Sequence, residues 1–166
     1  MLDQKKNIIL IIIFFIILLS IISALIIEHA LGHQPCSLCL YERIPYFLSA
    51  LLIIKIFFFK KYEKITLLIL FLVFMTSALL AFYHFGIEQG FFDESFVCNV
   101  ENQSKILSKA QLLKELNQNV VSCKDVTFRI LGLSLAAINT ILSVVLSIIF
   151  LKLFFNYGSS STSQYK

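Results

Sequence analysis

The sequence predicts an all-α integral membrane four-helix bundle with two outward loops, and three observations carry that reading. Of 166 residues, 58% are hydrophobic and the mean hydropathy is +0.87, well above the roughly 45–50% apolar share of soluble domains. The apolar residues are gathered into four long runs, each near the ~20 residues a helix needs to cross a hydrocarbon core. The lysines flank those runs, so the net charge of +4 reads as membrane topology rather than affinity for nucleic acid. Residues 1–166 are the natural size of a single membrane domain, with no room for a separate soluble one.

Residues 8–27 form the first span, free of charge and about 30 Å long as a helix. A signal peptide shares the basic start at Lys5 and Lys6, but this run is too long for a signal core. Ile22 also spoils the small-x-small pattern ahead of Ala24, so a retained span is expected. Residues 28–39 make the first outer loop, with His29 and His33 read as loop residues. The second span covers about 40–59, and its start holds Glu42, Arg43 and Pro45. Pro45 cannot donate to the Tyr41 carbonyl, which predicts a loosened turn beside the charges. After the basic turn of Lys60, Lys61 and Lys64, the third span runs over about 65–83 and ends at His84.

Residues 84–129 form the second outer loop. Within it, 104–117 reads as a short amphipathic interfacial helix: Ser104 suits the N-cap, and Ile106, Leu107, Ala110, Leu113 and Leu116 share a stripe. Packing of that helix on its own loop is the alternative, and a loop this short offers little core for it. The fourth span is about 130–155, followed by a Ser-rich tail, 158–166, expected to be disordered.

Lysines give the orientation. Lys5, Lys6, Lys60, Lys61, Lys64, Lys152 and Lys166 collect on one side, while the lysines of the long loop on the other side are outnumbered by acids. The positive-inside rule then puts both termini in the cytoplasm and all four cysteines outside.

Cys36 and Cys39 stand three apart, with Pro35 before them and Arg43 four residues after the second. In a helix these three side chains share a face. Pro35 suits the first helical position, which sets both sulfurs near the positive end of the helix dipole. A helix N-terminus and a guanidinium both favour thiolate over thiol. Outward cysteines fit an oxidising compartment, and three readings are open for Cys36, Cys39, Cys98 and Cys123. Two structural disulfides are one, although a Cys36–Cys39 bridge closes almost no chain entropy. A four-thiolate zinc site is another, and the isolation of Cys98 from Cys123 in sequence opposes it; no metal is expected. A redox relay between the pairs is the third and the favoured one.

A relay must pass its electrons on, and no nucleotide loop, haem site or flavin motif is present. Membrane-soluble quinone needs no soluble binding domain, and Arg43 could donate hydrogen bonds to its carbonyl. The alternative for Arg43 is an interfacial anchor paired with Glu42. His84 could face the same headgroup, although a lone histidine there is more often an interfacial residue than a ligand.

The stretch Cys36-Ser37-Leu38-Cys39-Leu40-Tyr41-Glu42-Arg43 resembles the CxxC-hydrophobic-Tyr-Glu-Arg signature of the DsbB disulfide bond formation proteins of bacterial inner membranes. Tyr83-His84, the distant Cys98 and Cys123, and Leu131-Gly132-Leu133-Ser134 extend the resemblance over nearly the whole chain. Vitamin K epoxide reductase-like proteins have a related bundle, but their CxxC lies on the last span. The resemblance implies a membrane disulfide oxidase that reoxidises a periplasmic DsbA-type thioredoxin-fold protein and reduces quinone, either ubiquinone or menaquinone. It further implies attack by that partner on a Cys98–Cys123 disulfide at Cys98, then attack by Cys123 on Cys36, with Cys39 facing quinone beside Arg43. The sequence departs from the family in having no tryptophan and in carrying Ala136-Ala137-Ile138 where a proline- and tryptophan-bearing stretch is usual. A non-catalytic scaffold with structural disulfides is the competing function.

Overall fold

The structure is a computed structural model, and it describes residues 2–59, 62–93, 98, 122–124, 129–130 and 132–162. Its helices are α1 (Leu2–His29), α2 (Ser37–Phe58), α3 (Glu63–Glu88) and α4 (Leu135–Thr162). Two short strands, β1 (Arg129–Ile130) and β2 (Leu133–Ser134), pair antiparallel just before α4. All four helices are long and apolar enough to cross a membrane. The protein is therefore a multi-pass membrane protein with the predicted all-α four-helix architecture.

Each helix is apolar around its whole circumference, as a helix must be when one face meets neighbours and the other meets lipid. Ile11, Phe15, Leu19, Leu51, Leu79 and Phe82 point outward, whereas Leu10, Ile13, Ile17, Ile53, Phe74 and Phe150 are buried. Hydrocarbon is as apolar as leucine, so burial alone drives no association inside a membrane; close packing and interhelical hydrogen bonds must do so. Phe74 stacks on Phe150 at 5.6 Å and takes the Tyr46 ring edge-on at 5.7 Å, which joins α2, α3 and α4 through one aromatic cluster. Small buried residues, among them Ser77, Ala78 and Ala81 of α3 with Ser143 and Ser147 of α4, let the two backbones approach. Ser77 and Ser143 bond across that contact at 3.1 Å.

The ends of the bundle differ. At one end Lys6 pairs with Glu63 at 2.7 Å, and Lys55 donates to Thr66 at 3.1 Å. At the other end lie the two cysteine pairs, Glu28, Glu42, Arg43, His84 and Glu88.

Several boundaries depart from expectation. α2 begins at Ser37 rather than at residue 40, with Cys36 as its N-cap and Pro35 outside the helix. It continues unbroken across Pro45. α3 runs a full turn past His84 and stops at Gly90, whose φ of +77° is readily adopted only without a Cβ. The fourth helix begins at Leu135, not 130, because the chain first turns through Gly132 at φ +85° and pairs Ile130 with Leu133. Helix α4 carries on to Thr162, so the first part of the Ser-rich tail is helical rather than disordered. The amphipathic helix expected over 104–117 lies outside the described residues.

Candidate thiol–disulfide site

Cys36 sits at the N-terminus of α2 in extended backbone, and its Sγ accepts the Cys39 N–H at 3.3 Å. Sulfur thereby takes the place of the usual serine or aspartate oxygen at an N-cap, on donors the helix cannot satisfy itself. The Cys39 Sγ lies 2.7 Å from the Cys36 Sγ, both thiols being free. The Cys39 thiol bonded to it, opposed by burial and aided by the His84 imidazole, holds the Cys36 thiol down at about 4, far below its ordinary value.

His84 reaches this point because α3 extends beyond it. It is buried, 3% exposed, and so faces the interior of the bundle rather than its outer surface. Nδ1 donates to Glu42 Oε1 at 2.7 Å, since a carboxylate can only accept. Nε2 is thereby turned toward Cys36 Sγ, 3.5 Å away, and toward Glu88 Oε1 at 3.9 Å. Asn139 of α4 donates through Nδ2 to Glu42 Oε2 at 2.6 Å. The Tyr46 hydroxyl donates to Asn139 Oδ1 and lies 3.3 Å from the Ser143 hydroxyl. A continuous polar line thus runs from Cys36 through His84, Glu42, Asn139 and Tyr46 into the middle of the bundle. The bonds at His84 are buried and those at Asn139 partly so, which strengthens them over the same bonds in water.

Arg43 does not pair with Glu42, as its anchor reading supposed. Its guanidinium meets Glu28 at the end of α1, both side chains being partly exposed. Glu42 is 6% exposed and is held by His84 and Asn139 instead. Arg43, Glu28, Cys36, Cys39 and His84 border a cavity of about 350 Å³. Its remaining walls are largely apolar, supplied by Leu19 and Ile27 of α1 and by Ile138 and Leu142 of α4. Ala136 and Ile138, from the stretch that departs from the family pattern, lie on that wall.

Cys98 and Cys123 form a disulfide with Cα atoms 5.5 Å apart, so in this state neither sulfur is a thiolate. The bridge is buried and shares one apolar cluster with Cys36, Leu38 and Ile87, packed by Cys39, Leu80 and Tyr83. Cysteines separated by more than eighty residues therefore meet at one end of the bundle. Of the residues singled out in the sequence, Cys36, Cys39, Cys98, Cys123, Arg43 and His84 all gather there. His29 stays at the end of α1, bonded to its own helix at Leu25 O.

Glu42, Glu88, Asn139 and Tyr46 were not singled out as site residues. Glu42 carried a signal, a carboxylate inside an apolar span, where ionisable groups mark function. Asn139 offered a weaker one, a primary amide in an otherwise apolar run.

A free thiol pair beside a disulfide, inside a four-helix membrane bundle, defines a membrane protein equipped for thiol–disulfide exchange. Comparison with known proteins gives the particular family. Residues 6–153 match the family model described as Disulfide bond formation protein DsbB, and the chain belongs to that family. It is therefore a disulfide oxidoreductase by family. Among curated proteins it is 28% identical over 144 residues to an uncharacterized protein of Rickettsia prowazekii (strain Madrid E), covering 86% of this chain and 83% of that one. No solved structure matches it.

Proposed function

We propose that this protein reoxidises a DsbA-type thioredoxin-fold oxidase in the periplasm and passes the electrons to quinone in the bacterial inner membrane. The observation that carries the reading is the burial of the Cys98–Cys123 disulfide in one cluster with Cys36 and Cys39. The overall reaction balances: the partner's dithiol becomes a disulfide, losing two electrons and two protons. Quinone, when bound, supplies the acceptor for both.

The chain's own residues account for the intervening exchange. The partner's thiolate attacks Cys98, breaking Cys98–Cys123 and forming a mixed disulfide; its second thiolate then resolves that bond. The freed Cys123 thiolate attacks Cys36 of a Cys36–Cys39 disulfide and releases Cys39 as thiolate. Cys98 closes back on Cys123, which expels Cys36, and the pair is left reduced. Cys36 is a good leaving group because its thiol is acidic. His84 holds the proton balance at Cys36, with Glu42 and Asn139 fixing its ring.

Quinone would be held in the 350 Å³ cavity, whose apolar walls suit a ring carrying an isoprenoid tail, with His84 and Arg43 on the polar side. Arg43 keeps N–H donors beyond those engaged by Glu28. The lysine distribution supports both termini in the cytoplasm and the cysteine end outside.

Purified protein in detergent, given a reduced thioredoxin-fold donor and ubiquinone or menaquinone, tests the reading. Quinone should be reduced in step with donor oxidation. Cys39→Ser and Cys98→Ser should each abolish turnover, and Arg43→Ala should raise the apparent KM for quinone. A donor that stays reduced in the presence of the wild-type protein and either quinone would return the chain to the scaffold reading.

A further inference from the structure

We propose that the reduced site is also a metal site: Cys36 Sγ, Cys39 Sγ, His84 Nε2 and the Glu88 carboxylate together take up a zinc-class divalent cation. The ligand atoms of Cys36, Cys39 and His84 all lie within 4.8 Å of one another. Zinc bonds of about 2.3 Å to sulfur and 2.0–2.1 Å to nitrogen put tetrahedral donors roughly 3.5–3.8 Å apart. Cys36 Sγ and His84 Nε2 already stand at 3.5 Å. The two sulfurs, at 2.7 Å, would open by about 1 Å to reach that spacing. A CxxC at a helix start is a common zinc-binding turn, and here the fold supplies the nitrogen that the sequence spacing lacks.

Two further features point to a cation. Histidines that bind metal usually give their other ring N–H to a carboxylate, which fixes the tautomer and aims the free nitrogen. His84 does so with Glu42, itself held by Asn139. The second feature is Glu88. Its side chain is 6% exposed and stands 3.9 Å from His84 Nε2 on the wall of the same cavity. The Ser134 hydroxyl stands beside that carboxyl, yet Oε2 is left with no hydrogen-bond partner among the described residues. An unsatisfied buried carboxylate oxygen is costly, and a bound cation would satisfy it.

Uptake is not a redox step. The cation displaces two protons, one from the Cys39 thiol and one held between Cys36 Sγ and His84 Nε2, and both leave to solvent. A Cys36–Cys39 disulfide offers no thiolate, so only the dithiol state binds. Metal therefore withdraws both sulfurs from exchange, and the site is blocked reversibly in its reduced form. This holds whether or not quinone is the electron acceptor.

The test uses the full chain in detergent with Cys98→Ser and Cys123→Ser, leaving Cys36 and Cys39 as its cysteines. The protein is reduced, freed of reductant without oxygen, and titrated with Co²⁺ alone, then with Zn²⁺. One Co²⁺ per chain is expected, with a thiolate-to-cobalt charge-transfer band and tetrahedral d–d bands that Zn²⁺ abolishes. The same protein with Cys36–Cys39 oxidised should give neither band. Glu88→Gln and His84→Asn should each weaken binding by at least about tenfold and alter the d–d bands. Equal Co²⁺ uptake by the oxidised protein, which needs no substitution at the site itself, would overturn the proposal. So would a cobalt spectrum unchanged by both Glu88→Gln and His84→Asn.

Discussion

Cys36 owes its chemistry to position more than to residue type. A thiol in an ordinary setting titrates near 8.5, and burial would raise that value. At the N-cap of α2 the Cys39 thiol and the His84 imidazole outweigh burial and bring it to about 4. The sign matters for reactivity: the thiolate is present above the lowered value and is lost as pH falls through it. In reduced protein carrying Cys98→Ser and Cys123→Ser, alkylation of Cys36 followed by mass mapping should therefore be nearly constant from pH 8 down to about pH 5. It should then fall tenfold per unit below about pH 4. Replacing His84 with alanine should move that fall upward, because one of the groups holding the thiolate is gone. A rate that instead climbs steadily between pH 7 and 9 in the unsubstituted site would contradict the geometry around Cys36.

At the scale of elements, the end of α3 does the most to build the site, since its last turn carries both His84 and Glu88. The turn is closed by Phe91 N–H bonding to Gly86 O at 2.8 Å, and the Phe92 ring lies where a side chain on Gly86 would begin. Phe92 in turn stacks on Tyr83 at 5.6 Å. Gly86→Ala should therefore push the Phe92 ring off this seat and destabilise the protein by about 1–3 kcal/mol. Thermal unfolding in detergent measures it, and an unchanged or raised Tm would show that the ring has somewhere else to go. This turn also marks where sequence reading gave out. Phe85-Gly86-Ile87-Glu88 follows an uninterrupted apolar run with a glycine and an acid, which looks like a loop. Four spans were legible because hydrocarbon thickness imposes their length. The start of α4 was not, because Ile130, Leu131 and Leu133 continue the apolar character while Gly132 turns the chain. Clustering of the cysteines at one end of the bundle was legible from the common side that the lysine distribution assigns them. The partners of Glu42 were not, because His84 and Asn139 lie 42 and 97 residues away and no short-range pattern encodes that distance.

At the scale of the whole molecule, the bundle is electrically lopsided, and the proposed topology of the thiols rests on that asymmetry. Lys6, Lys55 and Lys64 sit at the end where α1 and α3 begin and α2 finishes, with Lys6 tied to Glu63 and Lys64 over the Phe154 ring. Glu28, Glu42 and Glu88 sit at the opposite end beside the cysteines. Retaining lysines on the cytoplasmic side during insertion fixes such a chain in one direction. The consequence can be read with a membrane-impermeant maleimide on reduced vesicles of known orientation. Right-side-out vesicles should lose free thiols to the reagent, and inverted vesicles should keep them until detergent is added. Comparing the two orientations of one preparation cancels the slow labelling expected of a sulfur as buried as Cys36. Labelling confined to inverted vesicles would put the thiols in a reducing cytoplasm. A disulfide oxidase there would meet partners that glutathione and thioredoxin keep reduced, and the proposed direction of electron flow would fail together with the topology.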